Sequence, residues 1–239
     1  MKLSLVSSPV LNSRLSIMPL LKVQDLKIHF PVRGGWFGRA TDVIKAVDKV
    51  SFDVEEGSTV GLVGESGSGK STVARALLKL TPVTGGTVTY QGREILSMPE
   101  NEFRPLRKEM QMVFQDPFGS LNPRFTLEQI VGEGVEARLP NRSARRQAVE
   151  QALEKVELPA SFADRYPHEL SGGQRQRVAL ARALIMQPKL LILELPSLLT
   201  CRIFILNNKF SLFPNSERNQ VTFKNKLLGA NHLLVLLTI

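Results

Sequence analysis

The sequence predicts an α/β fold organised around a phosphate-binding strand–loop–helix. Three observations carry this expectation. Thr59-Val60-Gly61-Leu62-Val63 is a short apolar run of buried-strand type leading into a Gly-rich loop, and Ser71–Leu80 follows with helical spacing at Val73, Ala76, Leu77 and Leu80. Two further helical periodicities, Ser143–Leu158 and Ser171–Ile185, precede a second buried-strand run at Leu190–Leu193. The residues ahead of the loop alternate in strand fashion. A β-rich start, a strand–loop–helix, a helical insert, a helix and a strand in that order describe neither a bundle nor a sandwich.

The elements follow in order. Residues 1–19 mix Leu and Val with Ser, Pro and Asn and read as a disordered leader; Met18 is an alternative start, and no unbroken apolar region or small-residue cleavage site marks a secretory signal. Leu21, Val23, Leu26, Ile28 and Phe30 then mark one or two strands, Val43–Val47 and Val50–Val54 further ones, and Glu56-Gly57 a turn. Thr81-Pro82 ends the helix after the loop. Gly85-Gly86 opens a strand over Thr87–Tyr90 that closes at the turn Gln91-Gly92. Residues 126–158 read as helical with one break at Pro140.

The 239 residues, 43% hydrophobic and 22% charged, suffice for one large domain or two small ones. A single Cys excludes a disulfide framework and a cysteine-rich metal site, and no apolar run is long enough to span a bilayer. The formal charge of +9 invites a nucleic-acid or membrane-surface partner. Its distribution argues otherwise. Residues 1–24 hold three basic and no acidic side chains, residues 201–239 five basic and one acidic, and the stretch 25–200 has 23 basic against 21 acidic. Six of the ten Asn and only one of the 17 Gly lie in the last 39 residues, so the tail follows different rules from the body.

Gly64-Glu65-Ser66-Gly67-Ser68-Gly69-Lys70-Ser71 fits the phosphate-loop pattern G-x-x-x-x-G-K-[ST], and it sits between a strand and a helix as that motif requires. Glycines let successive backbone N–H groups curl around phosphate oxygens while the helix turns its positive end toward them. Lys70 is a point charge for the β- and γ-phosphates, and the Ser71 hydroxyl is a hard oxygen ligand suited to Mg²⁺. A flexible Gly/Ser loop would match the pattern without needing that context.

Leu170-Ser171-Gly172-Gly173-Gln174 adds a good N-cap and two glycines that permit close backbone approach at a helix start. With the phosphate loop it resembles the ATP-binding subunit of ABC transporters, whose signature is Leu-Ser-Gly-Gly-Gln. Val113-Phe114-Gln115-Asp116-Pro117 is similar to that family's Q-loop, whose Gln contacts Mg²⁺ and senses the transmembrane partner, and Phe118-Gly119-Ser120-Leu121-Asn122-Pro123-Arg124 resembles the oligopeptide/dipeptide importer branch. Phe30 occupies the place of the aromatic residue that stacks on adenine, although a core strand Phe reads the same way. The resemblance covers residues 20–197, with a helical subdomain over about 115–170 and a tail over 198–239 outside it.

The resemblance implies a P-loop NTPase fold of ABC type, with an antiparallel β start, a central mostly parallel sheet, a helical subdomain and an incomplete C-terminal part. It implies ATP and Mg²⁺ as ligands. Gly64, Glu65, Ser66, Gly67, Ser68, Gly69, Lys70, Ser71 and Thr72 would contact the nucleotide, Ser71 and Gln115 the metal, and Ser171, Gly172, Gly173 and Gln174 a nucleotide held by a second such subunit. Transmembrane permease subunits would be direct partners and an extracytoplasmic solute-binding protein an indirect one, at the cytoplasmic face of the cell membrane. A nucleic-acid-associated ABC protein would show tandem units or basic linkers, and the near-neutral body does not.

The pattern breaks after the second strand. Aligned on Pro196, Glu194 stands where the family has the Mg²⁺-organising Asp and Leu195 where it has the catalytic Glu; sliding by one makes Glu194 the base but leaves Leu193 at the acidic position. Leu198-Leu199-Thr200-Cys201 replaces the family's Ser-Ala-Leu-Asp loop. The switch His has no counterpart: His232 precedes the apolar run Leu233–Leu237 instead of following one and reads as a surface residue. The expectation is an impaired ATPase, or a chain whose partner subunit carries the working site. An altered reading frame or a splice-like event near residues 194–197 would explain the abrupt change. Sequencing the encoding locus tests this: an intact family sequence in the same frame past Leu193 would exclude it.

Overall fold

The computed structural model describes residues 4–8, 18–33, 40–63, 65, 67–114, 116–195, 202–206, 209–213 and 233–238. The chain divides into two units, residues 1–107 with 233–239, and residues 108–232.

The first unit opens antiparallel, as expected. Strand β1 (Ser4–Ser8) lies within the segment read from sequence as a disordered leader. Strand β2 (Leu21–Arg33) lies between β3 (Ala40–Val54) and β5 (Gly85–Tyr90), with the two-residue β6 (Arg93–Glu94) beyond β5. The break in alternation between Val23 and Leu26 is a register shift, and there Asp25 takes φ +48° while its N–H donates to Ser51 Oγ at 2.8 Å. The extra residue returns Leu26 and Ile28 to the face that buries Leu21 and Val23. Gln91 and Gly92 both have positive φ, the geometry of a tight hairpin turn, as their sequence suggests.

Strand β4 (Thr59–Val63) runs into the phosphate loop, and helix α1 (Lys70–Leu77) leaves it. The predicted helix reached Leu80. It stops three residues earlier because Lys79 adopts φ +54° and the Leu80 N–H donates back to the Arg75 carbonyl at 2.9 Å, a left-handed cap that periodicity does not reveal. Val73, Ala74, Ala76 and Leu77 are buried, whereas Leu80 is exposed. Helix α2 (Glu100–Leu106), absent from the sequence reading, buries Phe103 and Leu106.

In the second unit β7 (Met110–Val113) pairs parallel with β8 (Leu190–Leu195), Met110 opposite Leu190 and Val113 opposite Leu193. Between them lie α3 (Pro117–Ser120), α4 (Leu127–Gly132), α5 (Arg142–Lys155) and α6 (Gly172–Leu184), with 3-10 turns at Glu133–Val135, Ala160–Asp164 and Pro167–Glu169. The predicted helical stretch ahead of Pro140 is therefore shorter than expected, since it tightens into a 3-10 turn after Gly132. Asn141, whose side-chain oxygen accepts from the Ser143 and Ala144 N–H groups at 2.9 and 3.2 Å, starts α5. Leu127, Val131, Val135, Val149, Leu153, Val178 and Leu184 are buried in this unit. Strands β9 (Arg202–Leu206) and β10 (Lys209–Phe213) form an antiparallel pair.

The last strand, β11 (Leu233–Thr238), pairs parallel with β4 in the first unit, while β1 pairs antiparallel with it. Both neighbours of the strand that carries the phosphate loop therefore come from terminal segments.

Arg146 on α5 holds the helical elements together. It donates to both carboxylate oxygens of Asp164 at 2.6 and 2.8 Å, to Glu128 at 2.7 Å and to Glu150 at 2.7 Å. The hydrogen bonds from Arg146 hold the Asp164 carboxyl below its ordinary range. The ionised form therefore favours the fold above the ordinary carboxylate pKa, and that contribution fades as pH falls through the lowered folded value. Arg146→Met should lower the thermal midpoint at neutral pH, at a cost of about 1–2 kcal/mol. The gap from the parent protein should narrow on acidification, as read by thermal melts across the acid range.

Candidate functional site

The loop between β4 and α1 is built by backbone geometry. Gly67 and Gly69 have φ of +77° and +94°, a region open to glycine and costly for other residues. A Cβ on Gly69 would overlap the carbonyl oxygen of Ala46 on β3, so the loop approaches that strand more closely than any side chain allows. The Ser68 N–H donates to the Glu65 carbonyl at 3.1 Å and closes the turn. Gly69 precedes α1 without a side-chain cap. The N–H groups of the first helical turn thus meet no capping side chain of their own helix.

Lys70 is 3% exposed. Its ammonium donates to the Glu65 carbonyl at 2.6 Å and to Ser68 Oγ at 2.8 Å, and burial pulls its pKa below the ordinary lysine value. Ser71 and Thr72 follow, half-buried, on the first turn of α1. A fixed cation, an uncapped helix start and left-handed glycines form a cradle suited to a polyphosphate. Gly64 and Ser66 lie outside the described residues.

Phe30 stands on β2 directly opposite Ile44 on β3. It is 38% exposed and Ile44 59%, so Phe30 is not the core residue that its strand position equally allowed. Sequence reasoning missed Ile44, because cross-strand partnership is written in the register and not in the residue.

The signature segment starts α6 as its residue types predict. Ser171 Oγ accepts from the Gln174 N–H at 3.3 Å and Gln174 Oε1 accepts from the Ser171 N–H at 3.0 Å, a reciprocal capping box. Gly172 and Gly173 are exposed, and a Cβ on either would meet nothing within 4 Å. Their glycine identity is therefore not required by packing within this chain.

Glu194, near the end of β8, is 6% exposed, and its Oε1 has no hydrogen-bond partner among the described residues. A buried carboxylate oxygen with no partner is costly, which is a physical reason to expect an external one. Gln115, Pro196, the segment 198–201 and His232 lie outside the described residues. Among the described residues no group of three acidic, His or Cys side chains forms a metal cluster, and no helix is long and apolar enough to cross a membrane.

A phosphate cradle in one unit and a capped glycine signature in the other define a P-loop ATP-binding domain of ABC type. Residues 47–197 match the ABC transporter family, and the chain belongs to it. Over 181 residues it is 46% identical to the oligopeptide transport ATP-binding protein OppF of Escherichia coli, covering 74% of this chain and 54% of that protein. Over 179 residues it is 47% identical to the oligopeptide transport ATP-binding protein AppF of Bacillus subtilis, with the same shares covered. The chain thus spans about half the length of the curated relatives it matches. Among solved structures it resembles the dimeric bacterial ABC transporter cassette MJ0796, with a TM-score of 0.61 at 27% identity over 73% of each chain. The cbiO1 subunit from Clostridium perfringens shares the fold, with a TM-score of 0.67 over 93% of this chain and 79% of that one at 22% identity.

Gly69→Ala should both clash with β3 and force a left-handed backbone on a residue with a Cβ. The strain is about 1–3 kcal/mol, so MgATP affinity should fall about five- to 150-fold, measured by calorimetric titration of the full chain.

Proposed function

We propose that this chain is the ATP-binding subunit of an ABC importer for peptides or similar small solutes, working at the cytoplasmic face of the cell membrane with transmembrane permease subunits. The observation that carries the nucleotide part is the phosphate loop, where buried Lys70 and the start of α1 converge on one cradle. The similarity to the oligopeptide transport ATP-binding proteins OppF and AppF supports the solute class.

Lys70 would exchange its contacts with Glu65 and Ser68 for phosphate oxygens. The glycine-rich backbone would orient the phosphates, and the Ser71 hydroxyl would hold Mg²⁺, a cation that commonly takes one or two protein oxygens and completes its shell with phosphate and water. When bound, the metal neutralises charge on the phosphates. Gln115 and Glu194 carry the metal-directed roles that family resemblance implies. The Ser171–Gln174 helix start, exposed at Ser171, Gly172 and Gly173 and half-buried at Gln174, would bind nucleotide held by a second ABC subunit, which accounts for glycines that packing in this chain does not require.

Hydrolysis in this chain is impaired on this reading. Leu195 stands where the family carries its general base and has no group that accepts a proton, and loss of such a base costs about 10²–10⁴-fold in rate. A heterodimer whose partner supplies the competent site is compatible with the same departure. Two measurements test the proposal. Lys70→Ala should abolish detectable MgATP binding, and unchanged binding would refute the phosphate-loop assignment. ATP turnover by the purified chain should lie near background, with Leu195→Glu restoring it only in part because the interface loop and switch His are also absent. Robust turnover by the unmodified chain alone would overturn the impaired-ATPase reading.

A further inference from the structure

Strand β4, which delivers the chain to the phosphate loop, has a weak point at its centre. Gly61 brings no side chain to the sheet there and loses more conformational freedom on ordering than any other residue would. The neighbouring strands meet that weakness from both sides, since β1 sets Val6 opposite Gly61 and β11 sets Leu236 opposite it. The β1 pairing covers all of β4, from Ser8 against Thr59 to Ser4 against Val63, the last residue before the loop. The β11 pairing runs from Leu234 against Thr59 to Leu237 against Leu62. The two segments differ in character as their places require. Leu233–Thr238 is a nearly continuous apolar run of buried-strand type, whereas Ser4–Ser8 carries three serines and ends the sheet.

We propose that Ser4–Ser8 is a main-chain clamp of the nucleotide site: β1 closes the outer edge of β4, fixes where the phosphate loop begins, and so helps to set the affinity for a nucleoside triphosphate. The proposal rests on the nucleotide-binding reading of the phosphate loop. That loop is held at its far end by Gly69 against the Ala46 carbonyl, and at its root by the pairing of β4. Without β1, the outer N–H and C=O groups of Thr59–Val63 would stand at a sheet edge, and a strand centred on glycine would fray there. A loop whose root is ordered for only part of the time binds with an affinity reduced by that fraction. Lys70 and the loop glycines would be intact and the site still weakened. Residues 4–8 thus act on phosphate binding through register, as positioning residues that touch no phosphate.

In an antiparallel pair the main-chain N–H groups point alternately toward the partner and away from it, and an edge strand tolerates proline only where the N–H faces solvent. The test is calorimetric titration of the full chain with the Mg²⁺ complex of AMP-PNP, in Leu5→Pro, Val6→Pro and Ser7→Pro, each against the alanine variant at the same position. Leu5 and Ser7 share one parity and Val6 has the other. Proline at one parity is expected to weaken binding about tenfold or more, and at the other to leave it within about twofold of the alanine control. In the weakened variants, hydrogen exchange should show alternate amides of Thr59–Val63, those facing β1, losing protection while those facing β11 keep it. Arg146→Met destabilises the helical unit and should leave the affinity at the parent value, which separates the clamp from a general loss of stability. While the parent still binds, no loss in any proline variant, an equal loss in all three, or a matching loss in Arg146→Met overturns the clamp. Failure of the parent chain to bind AMP-PNP overturns the phosphate-loop reading and the clamp with it.

Discussion

The nucleotide end of this protein depends on one close approach, that of the phosphate loop to strand β3. At Gly69 only a hydrogen fits against the Ala46 carbonyl, and the backbone there is left-handed. This contact sets where α1 begins and therefore where its first N–H groups point. It also makes the register shift at Ala46 part of the site, because that bulge seats the loop and re-aims the ribbon beyond it. Lys70 is buried as a consequence and is held by two oxygens of its own loop. A cation removed from water and hydrogen-bonded to neutral oxygens of its own loop suits a ligand that brings charged oxygens.

Electrostatics elsewhere are local. The formal charge of +9 is an average over a nearly balanced body and basic ends. Within the helical unit charges meet as partners, most densely where Arg146 gathers Asp164, Glu128 and Glu150 from three elements. Glu194 differs, as a buried carboxylate with an oxygen that no described residue satisfies. The departures from the family pattern read in the sequence begin at this residue: aligned on Pro196, Glu194 falls at the Asp position and Leu195 at the Glu position.

Much of the fold was legible because its signals are local. The strand at 59–63, the capped helix after Ser171 and the buried run at 190–193 follow from periodicity, capping chemistry and apolar length, which act over a few residues. The misses share a cause. Helix α1 ends early through the left-handed Lys79, α2 is only seven residues long, and the 3-10 turn after Gly132 interrupts what periodicity reads as continuous helix. Short elements carry too few turns for a period to emerge, and a left-handed non-glycine residue leaves no compositional mark.

The sequence by itself carried the motifs: a phosphate-loop pattern, a capped glycine signature and, after the second buried strand, Leu195 where the family resemblance leads one to expect an acid. These are matters of residue type and close spacing. The tertiary structure decided what depends on pairing between distant segments. It placed Phe30 at the surface opposite Ile44, seated Gly69 against the Ala46 bulge, and set β1 and β11 on either side of β4. Such features are fixed by strand register and by contacts between residues far apart in the chain. A one-residue slip would reassign every partner, and composition carries no record of it.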